Sequence, residues 1–326
     1  MSIKIGLDLG QSAVKMVGSK GSVIFPSLAA LRGTSNVVSL TSRRKKNAPM
    51  LVDDLYVGHN AHRDGIPLEN FSFDRLAGVT PEMRAILHGT LTEYQHKFGP
   101  FGEDVQMVVG LPMQMLFGDE KVVEKYKSGV KHWIGGNHQW TADGEPFTLD
   151  VTRVDLAPQA LGALFDYGLS MEGLPNGREG GEAMKRECAM ISIGSNTVEL
   201  QVTKRNDDTF RFNGGKPIGV RWLHNQVDPN TMWTFGEFDQ LLRAGELPEE
   251  IEIESFLGAW ATQVLDFVNK KWNDAFPRFH RIFVVGGGSL LLRPYLEAKF
   301  NSKAVFFDDP ILPISRGLYK SALRVR

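Results

Sequence analysis

The sequence predicts an α/β protein of two similar halves, and three observations carry that expectation. Its 326 residues are 42% hydrophobic and 23% charged, the profile of a folded chain long enough for two domains at roughly 150 residues each. Apolar strand patterns alternate with segments of helical periodicity along the chain. A strand, a small polar turn and a second strand open the sequence and recur near its middle, a faint internal repeat.

The elements follow in order. Residues 3–9 (IKIGLDL) and 13–17 (AVKMV) are β-prone runs around Gly10-Gln11-Ser12, which suits a hairpin. Residues 22–31 add a third strand that Pro26 interrupts, because proline has no donor for a ladder. A loop-rich excursion follows, and its basic run Arg43-Arg44-Lys45-Lys46 reads as a solvated loop. Over 81–98, Met83, Ile86, Leu87, Leu91, Tyr94 and Phe98 recur at helical spacing behind Pro81, giving a core-facing helix. Residues 105–109 form a buried strand that runs into Gly110-Leu111-Pro112, a loop of the kind that borders a cleft. Positions 119–133 read as helix and 147–154 as strand.

A helix bridging the halves is expected from Pro158 or just after it, with Leu161, Leu164, Phe165 and Leu169 apolar. Residues 172–187, rich in glycine and charge, read as a surface loop. Strands at 189–194 and 197–203 then flank Ser195-Asn196, and a helix over 253–272 carries Phe256, Trp260, Val264, Phe267, Val268 and Trp272 on its core stripe. Arg281 to Val285 leads into Gly286-Gly287-Gly288-Ser289 and a helix through Phe300; a strand at 304–307 and a helix near 314–324 follow.

Thirty-seven Lys and Arg against 38 Asp and Glu leave a formal charge of -1, so no global field draws the chain to nucleic acid or an anionic membrane. The lone Cys188 supports neither an internal disulfide nor a thiolate zinc site, which points to the cytoplasm. No apolar run approaches the roughly 18 residues of a membrane span, and the first residues lack a signal-peptide layout.

Two-residue turns fix the register of both ribbons. Gly10 then faces Ala13, Leu9 faces Val14 and Asp8 faces Lys15; in the second ribbon Gly194 faces Thr197 and Ser192 faces Glu199. Small residues at such tips let backbone N–H groups approach a phosphate, and two facing tips would clamp a polyphosphate. Asp8 suits the water shell of a magnesium ion, and Lys15 adds positive charge. One hairpin of this kind is an ordinary turn with a surface Asp–Lys pair; two of them plus the 286–289 glycine loop favour the phosphate reading. That third loop also imitates a dinucleotide-binding turn, with Asp308 in the place of a ribose-binding acid. Leu291 stands where its third glycine belongs, and 17 residues after Asp309 are too few to complete such a sheet.

These motifs, in this order, resemble the actin superfamily of nucleotide-binding proteins. The phosphate motifs correspond to IGLDLGQSAVK and ISIGSNTVEL, the adenosine motif to FVVGGGSLLL, and the connecting helices to PQALGALFDY and ISRGLYKSAL. VVGLPMQM, PQALGAL and GKPIGV at 215–220 are most similar to the ParM/StbA plasmid-segregation actins and their archaeal actin-like relatives, over residues 3 to about 324. The resemblance implies two related actin-like (ribonuclease H-like) domains with a nucleotide cleft between them. The first covers 1–157 and is completed by the helix at 310–326; the second covers 158–309.

It implies the site as well. Asp8 would act on magnesium-bound water, and Gln159 would orient the attacking water. Gly10, Gln11, Ser12 and Lys15 would hold the phosphates from one side, with Gly194, Ser195, Asn196 and Thr197 closing from the other. Gly286, Gly287, Gly288 and Ser289 would meet the nucleoside. One departure stands out: Ser192 replaces the aspartate usual at the second motif, while Glu199 is expected to keep a negative charge on that face. The implied activity is magnesium-dependent hydrolysis of ATP or GTP coupled to filament assembly in plasmid or DNA segregation. The implied partners are further copies of the chain and a DNA-bound adaptor protein, without direct nucleic-acid or membrane contact. The alternatives are a small-molecule kinase of the same fold, with Asp119 as the acceptor base, and a scaffold impaired in hydrolysis.

Overall fold

The computed structural model describes residues 2–33, 48–68, 73–205 and 207–324; the basic run at 43–46 lies outside the described residues. Two sheets organise them. The first runs Gly21–Pro26, Ala13–Gly18, Ile3–Leu9, Val105–Leu111, Glu145–Pro158, and continues through Gly136–Ala142 into four short strands between residues 29 and 67. The second runs Asp207–Asp208, Val198–Lys204, Glu187–Ile193, Ile282–Val285, Ala304–Phe306.

In each sheet three strands neighbour one another antiparallel in hairpin order, and two more lie parallel to the first strand. Antiparallel neighbours need only tight turns, whereas each parallel step needs a crossover. The helices Pro81–Phe98 and Glu120–Ile134 supply the crossovers in the first sheet, and Glu254–Trp272 and Gly288–Phe300 supply them in the second. A final helix follows each unit, Leu161–Gly168 and Pro313–Ala322. The repeat that is faint in sequence is therefore complete in topology.

Pro81–Phe98 forms as the periodicity predicts. Thr80 caps it, Pro81 fills the first turn, and its apolar stripe joins the core that also holds Ile5, Leu7 and Val109. In the second half Trp260 and Trp272 are fully buried, and each indole N–H donates to a backbone carbonyl, of Ile218 and Phe212. Burial of so large an apolar surface is tolerated because that one polar group is satisfied.

A third core lies between the sheets, where Leu161–Gly168 crosses Pro313–Ala322. Glycines set the approach: a Cβ on Gly317 would lie 1.8 Å from the Gly162 carbonyl oxygen, and one on Gly162 would lie 2.4 Å from that of Ile314. Asp166 locks the crossing by accepting both arms of Arg316, at 2.8 and 2.6 Å, and by pairing with Lys320 at 2.7 Å. The 313–322 helix also lies directly on the central strand of the first sheet, where a Cβ on Gly6 would meet the Ser315 carbonyl oxygen at 2.1 Å.

Three readings are corrected. Pro158 ends the Glu145–Pro158 strand, at a position where a missing donor costs nothing, and the helix begins only at Leu161. Within 172–187 the chain forms the helix Gly177–Ala183, because Gly180 lets it pack close under Tyr167 and Gly168. The excursion after residue 31 is not all loop, since Met50–Val52 and Leu55–Val57 extend the first sheet. Among the described residues no helix is long and apolar enough to cross a membrane.

Candidate functional site

Both hairpins form in the expected registers, with Asp8 opposite Lys15 and Ser192 opposite Glu199. The first tip is fastened by Ser27, whose amide donates to the Ser12 carbonyl at 2.9 Å and whose hydroxyl donates to that of Gly10 at 2.6 Å. Gly10 has no substitute, because a Cβ there would lie 2.6 Å from both the Ala13 oxygen and Lys15 Nζ. The second tip is fastened by the start of the helix Val220–Val227. Gly219, Val220 and Arg221 donate their amides to the carbonyls of Asn196, Gly194 and Ser195 at 3.1, 3.1 and 2.7 Å.

The tips meet. Asn196 Nδ2 donates to Gln11 Oε1, and Arg221 Nε donates to Asn196 Oδ1 at 2.6 Å. Among the described residues no acceptor takes the backbone amides of Gln11, Ser12, Ser195 or Asn196. The Ser12 hydroxyl is buried and likewise has no partner. An unpaired buried donor such as the Ser12 hydroxyl is costly, and unpaired donors at two adjoining turns suit an anion. A cavity of about 860 Å³ opens beside them, lined by Gln11, Ser12, Asn196, Arg221, His62 and Arg243 among others. His62 Nδ1 lies 3.0 Å from Thr234 Oγ1, joining the two halves across its wall.

Beneath the tips Asp8 is almost fully buried. Its carboxylate accepts from Gln159 Nε2 at 2.7 Å and pairs with Lys15 Nζ at 3.2 Å. Gln159 is placed by its own backbone, since its amide continues the ladder to the Leu111 carbonyl at 2.8 Å. The three side chains assigned to water, metal and phosphate thus form one hydrogen-bonded group. Among the described residues no cluster of three or more His, Cys, Asp or Glu could hold a metal ion. The Asp8 carboxylate suits a magnesium ion ligated mainly by phosphate and water.

The glycine loop serves packing more than the sequence suggests. Gly286, at φ 92°, lies against Ile193 with no room for a Cβ, and Gly288 fills the space between Ile193 and Trp260. Ser289 is buried and donates its hydroxyl to the Gly286 carbonyl at 2.7 Å. Gly287 alone faces outward, with the Arg243 guanidinium 3.7 Å from where its Cβ would be. Arg221 and Arg243 escaped the sequence reading. Arg221 directly follows GKPIGV, and Arg243 ends a helix whose start was legible as the capping box Thr234–Glu237. Asp119 caps Glu120–Ile134, its carboxylate accepting from the Lys121 amide at 2.9 Å, a role that accounts for an acid at that position.

Glu199 does not keep the standing charge expected of it. Burial, reinforced by the neighbouring Asp8 charge, pushes its carboxyl up to about 8, and the Met113 amide that donates to Oε1 at 3.3 Å opposes this only in part. At neutral pH the group is mostly protonated. The unfolded chain loses this proton near 4.5 and the folded chain near 8, so the group's contribution to stability is full below pH 4.5 and falls as pH rises to about 8. Glu199→Gln should remove that fall. In urea titrations its stability relative to wild type should climb between pH 5 and 8.5 by a few kcal/mol, at about 1.4 kcal/mol for each pH unit separating the two values. A difference that stays flat across that range rules out a buried neutral acid.

Residues 6–162 match the family of actin-like proteins, N-terminal domain. No curated protein matches the sequence. Among solved structures, a non-polymerisable quadruple mutant of pCBH ParM is similar at 16% identity, covering 100% of both chains with a TM-score of 0.75. An archaeal actin homolog in complex with ADP is similar at 18% identity, again over 100% of both chains, with a TM-score of 0.69. A 15-stranded ParM filament from Clostridium botulinum is similar at 14% identity over 99% of both chains, with a TM-score of 0.74. At such identities the likeness is one of fold. Residues 6–162, just under half of the chain, thus resemble the N-terminal domain of the actin-like proteins, and the chain as a whole shares its fold with these ParM and archaeal actin structures.

Proposed function

We propose that this chain binds a magnesium nucleoside triphosphate, ATP or GTP, between its hairpin tips, hydrolyses it slowly and assembles into filaments that serve plasmid or other DNA segregation. The observation that carries this reading is the meeting of the tips at Gln11 and Asn196, with four backbone amides and the Ser12 hydroxyl unpartnered around them. Gly10, Gln11, Ser12 and Lys15 hold the phosphates from one domain, residues 1–157 with 310–326. Gly194, Ser195, Asn196 and Thr197 hold them from the other, residues 158–309. Gly287 and Arg243 border the nucleoside end, with Gly286, Gly288 and Ser289 supporting the loop.

When bound, magnesium neutralises charge on the phosphates. Asp8 would hold it through water, and Gln159 would orient the attacking water as a hydrogen-bonding amide rather than a strong base. Slowness follows from Ser192: where a second carboxylate would stand, the structure has a buried hydroxyl facing a mostly protonated Glu199. The ADP complex and the filament among the similar structures support nucleotide binding and self-assembly. A chain of net charge -1 needs a separate DNA-bound adaptor to engage DNA, and the cytoplasm is the compartment.

Sedimentation with Mg-ATP and Mg-GTP, alongside phosphate release, tests the reading. We expect nucleotide-dependent pelleting, slow release by wild type, and release about tenfold faster or more in Ser192→Asp, within the range one acid–base group contributes. No pelleting with either nucleotide overturns the filament, and nucleotide consumption only when a hydroxyl acceptor is added would assign a kinase instead.

A further inference from the structure

We propose that Arg221 is the phosphate-binding cation of the second hairpin and lets the cleft distinguish a nucleoside triphosphate from a diphosphate. The inference deepens the nucleotide reading above and rests on it.

The two halves are equivalent in register but not in charge. In the first hairpin Asp8 faces Lys15, so a cation stands at the phosphate side; at the matching positions of the second, Ser192 faces Glu199. A polyphosphate gripped from both sides leaves the second tip in need of positive charge, which its own strands do not provide at that register. Arg221 lines the same cavity as Gln11, Ser12 and Asn196.

Its placement is fixed by the tip it would serve. The backbone of Gly219, Val220 and Arg221 is hydrogen-bonded to the carbonyls of Asn196, Gly194 and Ser195, so this arginine travels with the second hairpin. Gly219 permits that seating, since a Cβ there would lie 2.5 to 2.6 Å from the same turn's backbone. The guanidinium lies over the Phe235 ring, 4.1 Å from its centroid, and donates Nε to Asn196 Oδ1 at 2.6 Å. Stacking holds the plane of the fork at the wall of the cavity that Arg221 lines.

Asn196 in turn reaches across to Gln11, so a relay from Arg221 through Asn196 to Gln11 spans the gap between the halves. A terminal phosphate entering between the tips must part Gln11 from Asn196. Arg221 then exchanges a neutral amide oxygen for a charged phosphate oxygen, a stronger acceptor for a guanidinium. A diphosphate, one phosphoryl group shorter, leaves the relay closed.

Calorimetric titration of the full chain with Mg-ATP and Mg-ADP, and with Mg-GTP and Mg-GDP, tests this. Arg221→Gln should weaken triphosphate binding about 10- to 100-fold, as expected for loss of a charge-assisted contact, and leave diphosphate binding within about threefold. Arg221→Lys, which keeps the charge and the stem but not the planar fork, should fall between; it also carries the test if the glutamine variant does not fold. Triphosphate affinity unchanged in both variants, or an equal loss for both nucleotides, overturns the role of Arg221 while leaving the nucleotide reading intact. Wild type that binds none of the four nucleotides overturns that reading and this inference together.

Discussion

Gly317→Ala is expected to be the most damaging single-methyl change in the chain, costing about 3 kcal/mol, the upper end for overpacking. The added carbon would sit 1.8 Å from the Gly162 carbonyl oxygen and 2.7 Å from the Asp166 amide nitrogen. Both are backbone atoms of a helix, so no side-chain rotation relieves the clash. The helices must part, and parting them stretches the bonds from Arg316 and Lys320 to buried Asp166. Removing partners from a buried carboxylate is itself costly. Gly181→Ala is the matched control, since only Pro175 Cβ lies near, at 3.8 Å; within a helix it should gain about 0.5–1 kcal/mol. Urea midpoints of the three proteins decide the matter, and a Gly317→Ala protein as stable as wild type would mean that the close crossing does not exist.

The second large effect lies at Asp8. We expect Asp8→Asn to slow phosphate release by about 10²- to 10³-fold, in the range typical of a lost acid–base or electrostatic group. The substitution keeps the shape and the oxygen that accepts from Gln159, but it removes the charge that holds Lys15 and that suits a hydrated magnesium ion. Nucleotide affinity should change less, by under about tenfold, because the tip amides are untouched. Single-turnover phosphate release and equilibrium binding, measured on the same preparations, separate the two. Release within about threefold of wild type would remove Asp8 from the chemistry and leave it a structural partner of Lys15.

The parts of this molecule that were legible in the sequence are those governed by short-range rules. Alternation with two-residue polar turns gave both hairpins their registers, down to Asp8 with Lys15 and Ser192 with Glu199. Helical spacing and a proline start placed a helix around 81–98, where Pro81–Phe98 forms. What stayed hidden depends on contacts between distant segments. The pairing of Asp8 with Gln159 joins residues far apart in sequence, and nothing local to either one states it. The ionisation of Glu199 was misread for the same reason: a carboxylate in a strand pattern does not announce that the Met113 loop will bury it. Glycines were also ambiguous, since a run such as Gly286 to Gly288 reads alike whether it admits a ligand or, as at Gly286 and Gly288, a neighbouring strand and indole.

The seat of the 313–322 helix on the strand Ile3–Leu9 has a consequence for how the chain is born. The first sheet is translated by residue 158, yet the surface around Gly6 is covered only by a segment made about 155 residues later. During synthesis that apolar face waits bare while the entire second sheet emerges, and a nascent chain in this state is a client for chaperones and a hazard for aggregation. The first half thus reaches its native form only after most of the second has been made.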